Sequence, residues 1–198
     1  MNLSIVFEQL LQVIFPKRST AQLVETIVAL EPKPRTVETA AGVVTYLFDY
    51  RDQAARALIT EAKFHHHDTA IRLLGSAVRS YLADPGEHLI LPIPLSPQRQ
   101  RARGYNQTTA ILNAARLPHR TDVLRRTHRL PQTKLSRSER LTNQDGVFSV
   151  SQTHQHLLTG SSLILFDDVV TTGATLSAAK AALLPHSPAA IHCVALAH

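Results

Sequence analysis

The chain has 198 residues, 44% of them hydrophobic, with one cysteine, no tryptophan and a formal net charge of +6. That length suits one α/β domain with a real core, or one domain and a small appendage. The single thiol, Cys193, excludes an internal disulfide and a cysteine-built zinc site, and no run approaches the ~18 apolar residues of a membrane span.

In chain order, residues 2–15 have amphipathic helical spacing ended by Pro16. Glu8 lies inside that stretch and no basic segment precedes it, so it does not read as a signal peptide, and the protein is expected in the cytoplasm. Residues 21–30 predict a second helix before Pro32 and Pro34. From Gly42 the texture turns β-branched and aromatic, which predicts a strand over 43–48. Helical spacing follows through Ala54, Leu58 and Ile59 and again through Ile71, Leu74, Val78 and Leu82, up to a turn at Asp84, Pro85 and Gly86. Leu89, Ile90 and Leu91 read as a short buried strand, and Pro92, Pro94 and Pro97 then forbid a helix. A helix is expected over 106–115, a second buried strand over 163–166, a helix over 175–184 and a closing strand over 190–196, where Cys193 reads as a small buried hydrophobe. Strands alternating with helices of this length predict an α/β fold with a mainly parallel sheet flanked by helices.

The charge is unevenly placed. Residues 96–140 hold eleven Lys and Arg against Asp122 and Glu139, whereas Lys180 is the one Lys or Arg after Arg140. A basic middle ahead of an acidic pair suggests a phosphate-rich partner, either a nucleotide-like metabolite or nucleic acid.

The strand over 163–166 ends in Asp167 and Asp168, followed by Val169, Val170, Thr171, Thr172, Gly173, Ala174 and Thr175. In open α/β sheets ligands sit beyond the carboxyl ends of strands. Carboxylates are acceptors suited to the two hydroxyls of a ribose, while small residues, threonine hydroxyls and a helix N-terminus suit its 5′-phosphate. The alternative is a strand-to-helix turn whose Asp and Thr cap the helix, but a cap needs one such residue and two adjacent acids repel.

This pattern resembles the phosphoribosyl pyrophosphate (PRPP) motif of type I phosphoribosyltransferases. Pro92-Ile93-Pro94-Leu95, the run Arg99, Arg101, Arg103-Gly104-Tyr105-Asn106-Gln107, the block from Leu124-Arg125-Arg126 through Gln132 and Leu135-Ser136-Arg137-Ser138-Glu139-Arg140 to Asn143, and Lys63 extend the resemblance to the ComF (competence protein F) family. The resemblance implies a type I phosphoribosyltransferase-like domain over 41–198, with PRPP held by residues 167–175 and pyrophosphate near Lys63, Leu95, Ser96, Arg99, Arg101 and Arg103. It also implies a catalytic loop carrying Gln132, Lys134, Arg137 and Arg140, and magnesium carried by the ligand. Competence and DNA uptake, with single-stranded DNA and a helicase as partners, follow from the same resemblance. The family's cysteine zinc ribbon is missing: Ser19 and Gln22 stand where its thiols belong, so residues 1–40 are expected to form a helical appendage without zinc.

Two functions stay open at this point: a phosphoribosyltransferase acting on an unknown acceptor, or an accessory protein of transformation that uses the same pocket as a PRPP or nucleotide sensor, or binds DNA. Tyr105 is the sole Phe, Tyr or Trp between Leu82 and Val147, which argues against base stacking along the arginine-rich segment. His65, His66 and His67 cannot converge on one metal from a regular element, and His154 and His156 sit in a polar stretch, so no metal site is expected at either group.

Overall fold

A computed structural model describes residues 18–83, 86, 88–126 and 147–198. The expected helix over 2–15 lies outside the described residues, as do Asp84 and Pro85 of the expected turn. The described residues begin with α1 (Ser19–Thr26), then β1 (Arg35–Thr39), β2 (Gly42–Phe48), α2 (Gln53–Phe64) and α3 (Asp68–Tyr81). Next come β3 (Leu89–Pro92), α4 (Pro97–Arg103), α5 (Gln107–Ala114) and a small antiparallel pair, β4 (Leu124–Arg126) with β5 (Phe148–Val150). The chain closes through β6 (Ser162–Val169), α6 (Ala174–Leu183) and β7 (Ala190–Ala197).

The five-stranded sheet has the order β1-β2-β7-β6-β3. Its β2–β7, β7–β6 and β6–β3 pairings are parallel, and β1 adds one antiparallel edge. The expected mainly parallel sheet is therefore present, and the carboxyl ends of β2, β7, β6 and β3 share one rim.

The sequence reading placed no strand before Gly42 and a boundary at residue 40. The structure differs: β1 pairs with β2 from Arg35–Tyr46 to Thr39–Gly42 and belongs to the same sheet. Its Arg-Thr-Val-Glu-Thr sequence is polar because it is an edge, where charge blunts unwanted pairing. The helix expected over 21–30 stops at Thr26, whose hydroxyl donates to Leu23 O, and Ile27 is already extended. The prolines act in two ways. Pro92 sits on the edge strand β3, where a missing N–H is tolerated, and Pro97 starts α4 at a position where helices favour it.

Two apolar layers cover the sheet. Ile164, Phe166, Val194 and Leu196 face a cluster that includes α2, α3 and α5, and Leu163, Leu165, Cys193 and Ala195 face one that includes α6, β4 and β5. Gly75 permits the close crossing of α3 and α5: a Cβ there would lie 2.8 Å from Ala114 Cβ. At its other end α5 is tied to the end of β6, where Gln107 Nε2 donates to Asp168.

Candidate functional site

Period-2 alternation continues past the core of β6 and separates the two acids. Asp168, following Ile164 and Phe166, points into the α2/α5 layer and is 6% exposed. There it accepts from Gln107 Nε2 at 2.9 Å and from Lys63 Nζ at 2.6 Å. Asp167 points to the other layer and lines a small pocket with Val169, Val170, Thr171, Thr172, Gly173 and Ala174. The two carboxyl groups nonetheless stay within hydrogen-bond reach of each other, and Asp167 Oδ1 also accepts from the Asp168 backbone N–H at 2.8 Å.

Their electrostatics diverge accordingly. Burial and then the neighbouring Asp168 charge push the Asp167 carboxyl up, to about 7. Burial also acts to raise Asp168, but the Lys63 ammonium outweighs it and holds that carboxyl below its ordinary value.

The loop after β6 is shaped by Gly173, which has φ +75° and begins α6. A Cβ on Gly173 would come within 2.3 Å of Thr39 Oγ1, so the β1–β2 hairpin packs directly on the loop. Ala40 N donates to Thr172 O at 3.1 Å across the same contact, and Lys180 from α6 donates to Ala41 O at 3.2 Å. Thr171 and Thr172 are exposed and Thr175 is half-buried, at the end of α6 where first-turn amides lack intrahelical acceptors. Amides and hydroxyls arranged in this way are the groups that a tetrahedral anion needs.

Gly104, Tyr105, Asn106 and Gln107 each have a structural task. Gly104 terminates α4 with φ +80°, and the Tyr105 hydroxyl donates to Ala62 O. Asn106 caps α5 and donates to Ile93 O at 3.0 Å, while Gln107 bonds Asp168. Arg103 donates to Gln107 Oε1 and lies over the Phe64 ring, 5.4 Å from its centroid. Lys63 and Arg103, expected beside pyrophosphate, are thus engaged in a chain running Arg103–Gln107–Asp168–Lys63.

Leu95 and Ser96 follow β3 on the rim, but the Ser96 hydroxyl accepts from Arg99 N at 3.3 Å as the cap of α4. The Arg99 and Arg101 side chains are exposed. Arg126, which the sequence reading did not single out as a site residue, joins this group. Burial and then the Arg99 charge lower its pKa, and the Asp167 charge opposes them. Its guanidinium lies over Phe148, 5.3 Å from the ring centroid. Gln132, Lys134, Arg137 and Arg140 lie outside the described residues, between β4 and β5.

A larger cleft of about 770 Å³ opens on the rim beside the small pocket, walled by Tyr46, Tyr50, Arg51, Lys63 and His198. Val169, Val170 and Thr171 line both cavities. No sequence signal marked this cleft, because its walls come from the ends of β2, α2, β6 and β7.

Among the described residues no group of three or more His, Cys, Asp or Glu side chains comes together as a metal site. His154 pairs with Asp122 at 3.2 Å, and His66 packs edge-on against Tyr105. Cys193 is buried in β7. Among the described residues no helix is long and apolar enough to cross a membrane.

Residues 111–198 match the phosphoribosyl transferase domain family. The chain is 35% identical over 107 residues to competence protein ComFC of Bacillus subtilis, which covers 54% of this chain and 42% of that protein. It is 29% identical over 134 residues to competence protein ComFC of Streptococcus pneumoniae, covering 68% of this chain and 58% of that protein. The chain therefore spans about half the length of these curated relatives. Among solved structures, the allosteric regulatory enzyme of purine biosynthesis overlaps 69% of this chain and 30% of its own, at 15% identity and TM-score 0.45. A hypoxanthine phosphoribosyltransferase from Staphylococcus aureus overlaps 63% of this chain and 61% of its own, at 11% identity and TM-score 0.41.

Proposed function

Taking as premise a chain that is similar to ComF-family proteins and carries a phosphoribosyltransferase-type fold, we propose that it binds PRPP on the sheet rim and transfers its phosphoribosyl group to an acceptor. The observation that carries this reading is the small pocket. One acceptor carboxylate, Asp167, and an anion cradle from Thr171 to Thr175 line the same cavity, as a ribose 5-phosphate requires. The 5′-phosphate sits on the loop and the ribose hydroxyls donate to Asp167. Asp168 acts from the layer below, holding Lys63 and Gln107 in place.

Pyrophosphate would lie toward the turn after β3, where Arg99 and Arg126 supply charge. In the transfer, the bond from C1 to pyrophosphate breaks with its electron pair leaving on the pyrophosphate, and an acceptor lone pair forms the new bond. Positive groups that meet that developing charge in a site shielded from water favour the step. Lys134, Arg137 and Arg140 are the candidates for closing the site, with Gln132 beside them. Magnesium would be held mainly by the pyrophosphate oxygens, with Asp167 the carboxylate on hand, and would supply charge neutralisation.

Calorimetric titration of PRPP with magnesium tests this, on the wild type and on Asp167→Asn. A binding isotherm that weakens at least tenfold in the variant is expected. Absence of binding to the wild type overturns the proposal.

A second reading is favoured by one patch. Phe64 is 59% exposed and lies beneath Arg103, with Lys63 5.9 Å and the His65 ring 6.5 Å from its centroid. Together with Tyr105 and His66 this sets aromatic rings beside the arginines of α4, the arrangement that single-stranded nucleic acid uses for stacking and phosphate contact. In that reading the protein handles DNA in transformation, with a helicase as partner. Fluorescence anisotropy with a labelled oligonucleotide separates the two: a salt-sensitive affinity that Phe64→Ala weakens supports it, and an unchanged affinity removes it.

A further inference from the structure

The 770 Å³ cleft beside the small pocket has the position and the wall chemistry of an acceptor site. We propose that it takes a planar heteroaromatic carboxylate, with Arg51 receiving the carboxylate and Tyr46, Tyr50 and His198 enclosing the ring. This rests on the PRPP reading and goes beyond it by naming the class of acceptor.

Position comes first. Val169, Val170 and Thr171 line both cavities, so a sugar whose phosphate sits on the 171–175 loop presents its anomeric carbon toward the cleft. The volume lies in the range of small-molecule sites, about 300–1,000 Å³.

Shape and polarity follow from the walls. Tyr46 and His198 pack against each other with ring centroids 5.3 Å apart, tilted by 54°. The Nδ1 of His198 lies 3.1 Å from Val170 O, which fixes the ring at the cleft floor. Tyr50, from the turn after β2, carries Arg56 over its ring at 5.8 Å. Flat rings suit a flat ligand.

Charge then narrows the class. The cleft lining holds no Asn or Gln amide, the group that pairs a donor and an acceptor against a nucleobase edge, and its hydroxyls are those of Tyr46, Tyr50 and Thr171. Its cations are Lys63, which is occupied by Asp168, and Arg51, which makes no side-chain ion pair among the described residues. The one acid in the lining, Asp49, turns an oxygen to the backbone N–H of Arg51 at 2.8 Å. A guanidinium fork selects a carboxylate by paired hydrogen bonds.

The chemistry balances with a pyridine-type acceptor. The ring nitrogen's lone pair forms the N–C1 bond while the C1–O bond breaks and its electrons leave on pyrophosphate. The ring becomes a cation and no proton has to be removed, so the cleft needs no general base.

The test uses the full chain with PRPP and magnesium, titrated calorimetrically with nicotinate and isonicotinate and with their neutral counterparts nicotinamide and isonicotinamide. At least one acid is expected to bind tenfold or more tighter than its neutral counterpart, and Arg51→Gln to abolish that preference. A neutral compound that binds as well as its acid, binding by neither acid, or a preference that survives Arg51→Gln overturns the inference. The PRPP titration run on the same samples separates the two readings. PRPP bound without carboxylate preference sinks the acceptor class alone, and PRPP unbound sinks both.

Discussion

Lys63 reaches from the end of α2 to Asp168 at the end of β6, with Nζ 2.6 Å from Oδ2. The same carboxylate oxygen accepts from Gln107 of α5, so one buried acid ties three elements together at the rim. Asp168→Asn leaves Lys63 without its counter-ion. Breaking a fully buried pair costs about 3–5 kcal/mol, and because the Lys63 side chain is 25% exposed, water offsets part of that, leaving about 2–3 kcal/mol. Asp168 has a depressed pKa, so its contribution is present above the unfolded value and is lost as pH falls through the folded one. Urea denaturation at pH 7 should show the deficit of the variant, and the two chains should converge in acid.

Asp167 carries the opposite sign. Its folded pKa is raised to about 7 from an ordinary value of 3.8. Below the lower value both folded and unfolded chains hold the proton and nothing is lost. Between the two the unfolded chain ionises first, so stability falls with rising pH, and the whole cost is in place above the upper value. Asp167→Asn is therefore expected to stabilise the protein at pH 8. The gain should vanish below pH ~4. A site that sacrifices stability for a ligand group should lose PRPP affinity in the variant that gains stability. Thermal melts across pH, set beside the titration, check both.

Much of this was legible in the sequence because the signals are local. An apolar strand, two acids, a glycine and short polar residues occupy one continuous stretch, so the loop after β6 could be located without tertiary information. The strand alternation was equally local, whereas the ties of Asp168 to Lys63 and Gln107 join residues far apart in the chain and left no local trace. The edge strand β1 escaped because an exposed, charged strand has little hydrophobic pattern. The proximity of Arg126 to the Asp167 charge, and of Phe64 to Arg103, depends on packing between residues far apart in the chain, which no local spacing encodes.

Gly173 is constrained twice, by φ +75° and by Thr39, whose Oγ1 would lie 2.3 Å from an added Cβ. Gly173→Ala is expected to cost about 1–3 kcal/mol and to weaken PRPP binding by pushing the loop off the hairpin. Thr39→Gly in the same chain removes the clash and leaves the positive φ, so it should recover part of the loss and not all. Full recovery would show that backbone conformation contributes nothing here, and no recovery would show that the hairpin contact is irrelevant. Paired denaturation and titration curves decide between these.

Glu61 is fully buried in α2, and its charge is met by residues at the start of the described chain. Arg18 donates to both carboxylate oxygens, Nε to Oε1 at 3.2 Å and Nη2 to Oε2 at 2.9 Å, and Thr20 Oγ1 adds a bond of 2.6 Å. Burial acts to raise the pKa of Glu61, and these hydrogen bonds outweigh it, so the carboxyl stays ionised below its ordinary range. α1 is thereby pinned to the last turn of α2, the same turn that carries Lys63. Arg18→Ala leaves a buried carboxylate with Thr20 alone, and the urea midpoint should fall at pH 7. The depressed pKa gives the interaction its full value above the unfolded pKa and removes it as pH drops through the folded one, so the difference between variant and wild type should close in acid. Adding Glu61→Gln to Arg18→Ala removes the stranded charge and should restore part of the lost midpoint. If the double variant is no more stable than Arg18→Ala, the contact between α1 and α2 rests on Val24 and its apolar neighbours rather than on the ion pair.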